Sequence, residues 1–267
     1  MKGKTVVITG GSSGIGKALA VKFAQMGFNV VITGRDPSRL NNTSDQIQQT
    51  GAGCLSLVSD VSKWTDCEAV VAETLRRFGS IDVLINNAGI SMRGILEETD
   101  ISVIEQLMAI NFWGTVYMTK LSLPHLLKSK GSVVGISSIA GKVGLPGRCA
   151  YSASKYAMEG FLSSVRTENI RKGLHVLVAC PGFTASSIRK SSLGPNGKPQ
   201  GESPRDESGM MTAEAVADHI YQAVVNRKRD LVLTANGKLT VFLNKWFPSL
   251  TDKLVFNHMS KEPGSPF

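Results

Sequence analysis

The chain has little of what several chemistries require. Its four cysteines, Cys54, Cys67, Cys149 and Cys180, show no C-x-x-C spacing. None of its four histidines stands at metal-ligand intervals from them or from one another, so no metal site is supported. The thiols read as reduced, which fits a cytoplasmic compartment, and Cys149 as either a small core residue or an accessory thiol. No apolar run reaches the eighteen or so residues that a membrane-crossing helix needs. Met1-Lys2-Gly3-Lys4 runs straight into the first predicted strand, so no secretory leader is expected. Aromatic residues make up only 6% of the chain, and no basic helix with interleaved aromatics argues for nucleic acid. Net charge +9 and a pI near 9.5 also suit anionic lipids. No internal repeat or low-complexity linker divides the 267 residues, a length that one large α/β domain fills.

What is present is alternation. Apolar, β-branched runs near 5–9, 28–33, 54–58, 82–86, 132–137, 175–180 and 230–233 read as strands. Helical patterns fill the gaps, most clearly at 14–26, 62–78, 101–127, 151–172 and 212–227. This order predicts a single-domain α/β Rossmann fold, a doubly wound seven-stranded parallel sheet with helices on both faces. The first strand passes into Gly10-Gly11-Ser12-Ser13-Gly14-Ile15-Gly16 and then into a helix bearing Leu19 and Phe23 on one face. Strand, glycine turn and helix form a dinucleotide-binding context: glycines let the backbone approach a pyrophosphate at the helix amino terminus. The spacing is G-x-x-x-G-x-G, and a glycine turn without a ligand is the plain alternative.

Tyr151 and Lys155 stand four residues apart at the start of a predicted helix, which puts phenol and ammonium on one face. A phenol with pKa about 10 is a poor proton shuttle at neutral pH. An ammonium roughly 4 Å away, at an effective dielectric near 20, favours phenolate by about 4 kcal/mol before its own desolvation is counted. The expectation is therefore a tyrosine drawn toward neutrality, where general acid–base catalysis works best. Further polar clusters follow other strands: Asn86-Asn87-Ala88-Gly89, Gly135-Ile136-Ser137-Ser138 and Pro181-Gly182, with Asn111 on a neighbouring helix. In an open α/β sheet, that carboxyl edge is where ligands bind.

These motifs resemble the short-chain dehydrogenase/reductase family, from Lys4 to about Leu233, in order and spacing. The resemblance implies a catalytic tetrad of Ser138, Tyr151, Lys155 and Asn111, with Ser137 a bystander. In it, Ser138 holds a carbonyl oxygen and Lys155 bonds the nicotinamide ribose. Asn111 holds a water that leads to solvent. Taken alone, Ser138 also reads as a strand-end cap and Asn111 as a stabiliser of a helix kink. Cofactor contacts are expected at Gly10, Ser12, Ser13, Gly14, Ile15, Gly16, Arg35, Asp60, Val61, Asn87, Ala88, Gly89, Tyr151, Lys155, Pro181 and Gly182. Asp60 also reads as an N-cap.

Cofactor choice turns on the end of the second strand. An acidic side chain there would favour NAD, but Gly34 carries no charge and Arg35 offers a planar fork for phosphate. Similar members of the family with arginine at this place imply NADP(H). Arg39 either assists or is solvated, and Asp36 turning inward as the ribose ligand is the alternative. The segment 183–211, with Arg189, Lys190, Lys198 and Arg205, resembles the family's substrate lid and is expected to be mobile. Met92, Val143 and Leu145 suggest a hydrophobic ketone or aldehyde. Gly144 to Arg148, Gly197-Lys198-Pro199 and the tail after Gly237-Lys238 resemble the 11-beta-hydroxysteroid dehydrogenase-like members, a subgroup that includes reductases of steroid- and lipid-like carbonyls. In the extension 238–260, Leu239, Phe242, Leu243 and Trp246 form a helical stripe with Lys238, Lys245 and Lys253 beside it. The stretch 238–256 either packs on its own domain or a sister subunit, or contacts a membrane peripherally. The family's usual dimer helices imply a homodimer or homotetramer. Rival functions are a catalytically silent NADP-binding sensor and an epimerase or dehydratase that recycles its cofactor.

Overall fold

The computed structural model describes residues 3–184, 188–189, 191–201 and 209–267. Seven strands, β1 (Thr5–Ile8), β2 (Asn29–Gly34), β3 (Cys54–Val58), β4 (Val83–Asn86), β5 (Ser132–Ile136), β6 (His175–Cys180) and β7 (Asp230–Val232), form one sheet. Their order is β3-β2-β1-β4-β5-β6-β7, and every pair is parallel. Helices α1 (Gly14–Gln25), α2 (Pro37–Gln48), α3 (Trp64–Phe78), α4 (Ile101–Leu107), α5 (Gly114–Lys128), α6 (Cys149–Glu168) and α7 (Ala213–Val225) cross between strands. The tail adds α8 (Ala235–Trp246) and α9 (Pro248–Met259).

The strand sequences explain why both faces are covered. Alternate side chains point to opposite faces, so an apolar run with no polar partner positions must be buried twice. Val6, Ile8, Val30 and Ile32 pack with Leu19 and Phe23 of α1 and with Val216 and Ile220 of α7. Val7, Val31, Leu84 and Val133 face the other way, onto Val70, Met118 and Leu162. Gly135 permits the closest of these approaches: a Cβ there would strike Leu162 Cδ1 and lie 3.3 Å from Met158 Sδ. That contact draws α6 down onto β5.

The predicted fold class and all seven strands hold. Two helical readings need correction, and α2 fills a gap whose helical pattern is weak. Helix α2 buries only Leu40, Thr43, Ser44 and Ile47, so its apolar signal is thin. Asp36 starts it, accepting from Arg39 N at 3.1 Å, and Pro37 fits its first turn. The long helix expected at 101–127 is interrupted by a π-helical segment, Met108–Trp113. The helix expected at 151–172 opens earlier, at Cys149, and gives way to a 3-10 turn, Ile170–Lys172, ended by Gly173 at φ 79°.

Candidate active site

The glycine turn sits where β1 meets α1. Gly10 (φ 64°) and Gly14 (φ 51°) take left-handed conformations that other residues resist. A Cβ at Gly16 would overlap the Gly10 carbonyl oxygen and the Asn87 amide, so α1 starts directly against the turn. Asn87 braces it from β4: Nδ2 donates to the Thr9 and Gly10 carbonyls at 2.9 and 3.0 Å. Thr9 Oγ1 accepts from the Asn87 and Ala88 amides, both at 3.0 Å. Ser13, the N-cap, does not cap α1 with its side chain, and no acidic residue lies in the first turn. The helix thus presents uncapped amides and the positive end of its dipole over a turn in which Gly10, Gly11, Gly14 and Gly16 carry no side chains. A dinucleotide pyrophosphate fits that cradle.

Along the edge, Gly34 ends β2, and a Cβ on it would lie 3.1 Å from Ser12 Oγ. Arg35 is exposed, with no hydrogen-bond or ion-pair partner among the described residues. Asp36 is committed elsewhere: besides capping α2, it pairs with Arg39 Nε at 3.2 Å. That arrangement disfavours Asp36 as a ribose ligand and occupies Arg39. Asp60 Oδ1 accepts from Ser62 N and Oγ at 3.0 and 2.8 Å, while Lys63 is the N-cap of α3. The N-cap reading of Asp60 is therefore replaced by an Asx turn just before the helix. Val61 beside it is buried.

Ser138, Tyr151, Lys155 and Asn111 are gathered by α6, the end of β5 and the π-helical segment. Lys155 is 4% exposed; its Nζ donates to the Ile136 carbonyl at 2.8 Å and lies 5.8 Å from the Tyr151 ring centroid. Ser138 Oγ accepts from Ala140 N at 3.2 Å, which spends a lone pair and leaves its proton to donate. Asn111, fully buried, clamps Ile90 by both backbone groups: Oδ1 accepts from N at 2.8 Å and Nδ2 donates to O at 2.9 Å. Its second amide hydrogen goes to Ser154 Oγ at 2.9 Å, and Ser154 donates to the Tyr151 carbonyl at 2.8 Å. Gly89 lies between the groups, since a Cβ on it would be 3.1 Å from Asn111 Oδ1 and 3.4 Å from Lys155 Nζ. Pro181 and Gly182 follow β6, with Gly182 against Thr234.

One expectation changes. Burial holds the Tyr151 phenol above its usual range, and hydrogen bonding to Ser138 and the Arg148 charge only partly offset that. Lys155 is not among the groups that offset it, and the burial of Lys155 lowers its own pKa to about 8. Both Asn111 amide hydrogens are used, so a water beside it would donate to an Asn111 oxygen.

Sequence reasoning passed over Ser154, although it sits one turn from Tyr151, and Glu159, the next residue at a four-residue interval after Lys155. It also missed the end of the chain. Glu262 pairs with Arg148 at 3.0 Å and Arg93 at 3.7 Å, and Arg93 Nη2 donates to the Pro263 carbonyl at 2.7 Å. This ties the last residues to the segments that carry Met92 and Leu145. The expected lid falls partly on 185–187, 190 and 202–208, which lie outside the described residues and include Lys190 and Arg205. Its described middle is hydrogen-bonded to the segment 91–93: Leu193 N donates to Ser91 O and Arg93 N to Leu193 O, at 2.9 and 2.8 Å. Leu193 packs with Met92, Val103 and Leu107 beside Tyr151. Met92 and Val143 are buried, and Leu145 is half-buried. A cavity of about 490 Å³ opens between Gly144, Leu145, Pro146, Cys149 and Ser152 on one side and Asp252, Val255 and Phe256 of α9 on the other. Cys149 is half-buried and lines it, so it is not simply core.

The tail stripe is exposed. Leu239, Phe242 and Trp246 are open to solvent, as are Phe247, Leu250, Leu254 and Phe256. The chain's own domain leaves these side chains largely uncovered, although Phe256 packs on Phe267. Among the described residues, no helix is long and apolar enough to cross a membrane, and no cluster of metal-ligating side chains occurs.

Known proteins agree with this geometry. The chain is 34% identical over 270 residues to dehydrogenase/reductase SDR family member 7B of Danio rerio, covering 98% of this chain and 87% of that one. It is 39% identical over 188 residues to 11-beta-hydroxysteroid dehydrogenase-like 2 of Arabidopsis thaliana, covering 70% of this chain and 61% of the relative. The fold superposes on a short chain dehydrogenase/reductase from Burkholderia phymatum in complex with NAD, with TM-score 0.83 and 25% identity over 93% of this chain and 95% of that one. It also matches an alcohol dehydrogenase of Thermococcus sibiricus complexed with 5-hydroxy-NADP, with TM-score 0.76 over 86% of this chain and 95% of that one, at 24% identity. The short chain dehydrogenase family model matches residues 4–195. The chain belongs to that family of oxidoreductases, whose fold implies a nicotinamide cofactor.

Proposed function

We propose that the protein is an NADP(H)-dependent oxidoreductase that interconverts a hydrophobic ketone or aldehyde and its alcohol. The observation that carries this reading is the convergence of Tyr151, Lys155, Ser138 and Asn111 at the carboxyl edge of the sheet, beside the glycine cradle. The bound nucleotide supplies or accepts the hydride. The residues of the chain manage the oxygen and its proton. Negative charge that builds on a carbonyl oxygen during reduction is met by two donors, the Tyr151 phenol and the Ser138 hydroxyl. Because burial raises the phenol's pKa, Tyr151 stays protonated across neutral pH and stands ready as the acid for reduction. In the oxidative direction it must first lose that proton, which costs more. Lys155 carries charge below about pH 8, favouring transient phenolate and offering its remaining hydrogens to a nucleotide ribose. Asn111 keeps the 89–91 loop and the first turns of α6 in register through Ile90 and Ser154.

NADP(H) is favoured over NAD(H) by the uncharged Gly34 and the free Arg35 guanidinium beside it. The apolar wall at Met92, Leu193 and Leu145 suits a hydrophobic substrate, with steroid- or lipid-like carbonyls as the class. The exposed apolar face of α8 and α9, flanked by Lys238, Lys245 and Lys253, suits an anionic lipid surface from which such a substrate would enter.

The test is Tyr151→Phe. It should abolish NADPH oxidation with a confirmed carbonyl substrate and leave NADPH affinity within a few fold. Near-wild-type reduction by that variant would defeat the assignment. Substrate turnover without net NADPH loss would instead point to epimerase or dehydratase chemistry.

A further inference from the structure

Behind the proposed catalytic row lies a buried polar cluster that the chemistry above does not use. Glu159 follows Lys155 on α6 by one turn, as Lys155 follows Tyr151. Its Oε1 accepts from Ser137 Oγ at 2.6 Å and from Cys180 Sγ at 3.5 Å, and its Oε2 pairs with Lys142 Nζ at 2.5 Å. Ser137 ends the strand side of a 3-10 turn, Ile139–Gly141, and Lys142 closes its far side; Ser138 is the N-cap between them. Gly141 leaves room for the carboxylate, since a Cβ there would strike Glu159 Oε1. The Glu159 side chain is only 10% exposed. A buried carboxylate is costly unless paired and hydrogen-bonded, and this one is both.

We propose that Glu159 is a positioning residue of the active site: it clamps both ends of the turn that presents Ser138 and supplies the buried counter-charge for Lys155. This rests on the roles proposed above for Ser138, Tyr151 and Lys155. Ser137, the apparent bystander, is the handle by which the strand side of the turn is held. Among the described residues no carboxylate bonds Lys155 directly; burial depresses its pKa to about 8, and Cys180 and Glu159 act in the opposite sense. The other groups facing this set are Tyr151 and Tyr156 on α6, Lys142 in the turn and Asp230 on β7. Removing the Glu159 charge therefore lets the Lys155 ammonium lose its proton at lower pH.

The experiment compares the full-length protein with Glu159→Gln, Glu159→Ala and Lys142→Met. Lys155 titration is followed by carbon NMR of the lysine side chains, assigned with Lys155→Met. NADPH oxidation with phenanthrenequinone as probe is followed against pH. In Glu159→Gln, which keeps an acceptor for Ser137, Lys155 should titrate about half a pH unit or more lower, and the alkaline limb of kcat should move with it. In Glu159→Ala, kcat should fall about tenfold or more at all pH values as Ser138 loosens, with the NADPH KM within about twofold. Glu159→Gln should recover much of that loss at low pH, and Lys142→Met should fall between the two. An unmoved Lys155 titration in Glu159→Gln, or a folded Glu159→Ala with wild-type kcat and pH profile, overturns the proposal. If Glu159→Ala does not fold, Glu159→Gln carries the decision alone. If the wild type reduces neither the probe nor any other carbonyl, the oxidoreductase reading fails, and the NMR titration still decides the Lys155 counter-charge.

Discussion

Replacing Arg35 with alanine isolates the basis of cofactor choice. The guanidinium is exposed at the end of β2 and has no partner among the described residues, while its neighbours are committed: Asp36 caps α2 and holds Arg39. Of these three side chains Arg35 is the one left to meet a 2′-phosphate, and Gly34 contributes no opposing carboxylate. Hydrogen bonds to charged groups are worth about 1.5–3 kcal/mol, and an exposed site belongs at the lower end of that range. At about 1.4 kcal/mol per tenfold, losing the contact should cut the ratio of NADPH to NADH efficiency by roughly ten- to thirtyfold. NADH binding, which lacks the phosphate, should hardly change. Because the Debye length is about 8 Å at physiological salt, the loss should shrink as ionic strength rises. Titration of each dihydronicotinamide by fluorescence, alongside kcat/KM for both, measures the ratio. Arg39→Ala is the control and should have a smaller effect. Gly34→Asp should push the preference further toward NADH, with Ser12 shifting slightly because an added Cβ lies 3.1 Å from its hydroxyl. A ratio within twofold of wild type in Arg35→Ala would refute the argument.

Two further outcomes are expected. His175 is buried, its Nε2 donating to the Lys228 carbonyl at 2.8 Å, which leaves Nδ1 to accept from Ser132 Oγ at 2.9 Å; burial lowers its pKa below the usual 6.5. Since the unfolded chain takes up a proton there that the folded one resists, stability should fall as pH drops below about 6.5, and His175→Gln should flatten that part of a thermal-midpoint profile. Vesicles containing phosphatidylserine should co-sediment with the protein in a salt-sensitive way, and Phe242→Asp with Trp246→Asp should abolish this. A wild type that ignores vesicles but self-associates, and becomes monomeric with the same substitutions, would assign the face to a second copy instead.

Much of the architecture could be read from residue patterns because buried parallel strands advertise themselves. The run Thr5 to Ile8 is β-branched throughout and buried at every position, and the central strands β4, β5 and β6 are buried throughout as well. Helix α2 was faint for the opposite reason: in twelve residues only Leu40 and Ile47 are large and apolar, and its start depends on an Asp36 side chain that also looked like a ribose ligand. The active-site positions could be placed by spacing, whereas their electrostatics could not. A four-residue interval says that Tyr151 and Lys155 share a helix face; it does not say how far each is removed from water, and that sets the direction of both pKa shifts. The tail shows the same division. Its stripe was visible, but whether Phe242 and Trp246 would be covered depends on what lies opposite them, and that is not encoded locally.

The π-helical stretch before α5 has an evolutionary corollary. Wider winding there accommodates an extra residue, and Asn111 reaches Ile90 and Ser154 from within it. Deleting a single residue between 108 and 113 would remove that extra residue and close the stretch to regular winding, shifting Asn111 within it while the flanking turns keep their facing. The composition of the segment would barely change, yet the asparagine would no longer face its partners. A one-codon loss there is thus a short route by which a descendant could keep the scaffold and its glycine cradle while giving up, or redirecting, its chemistry.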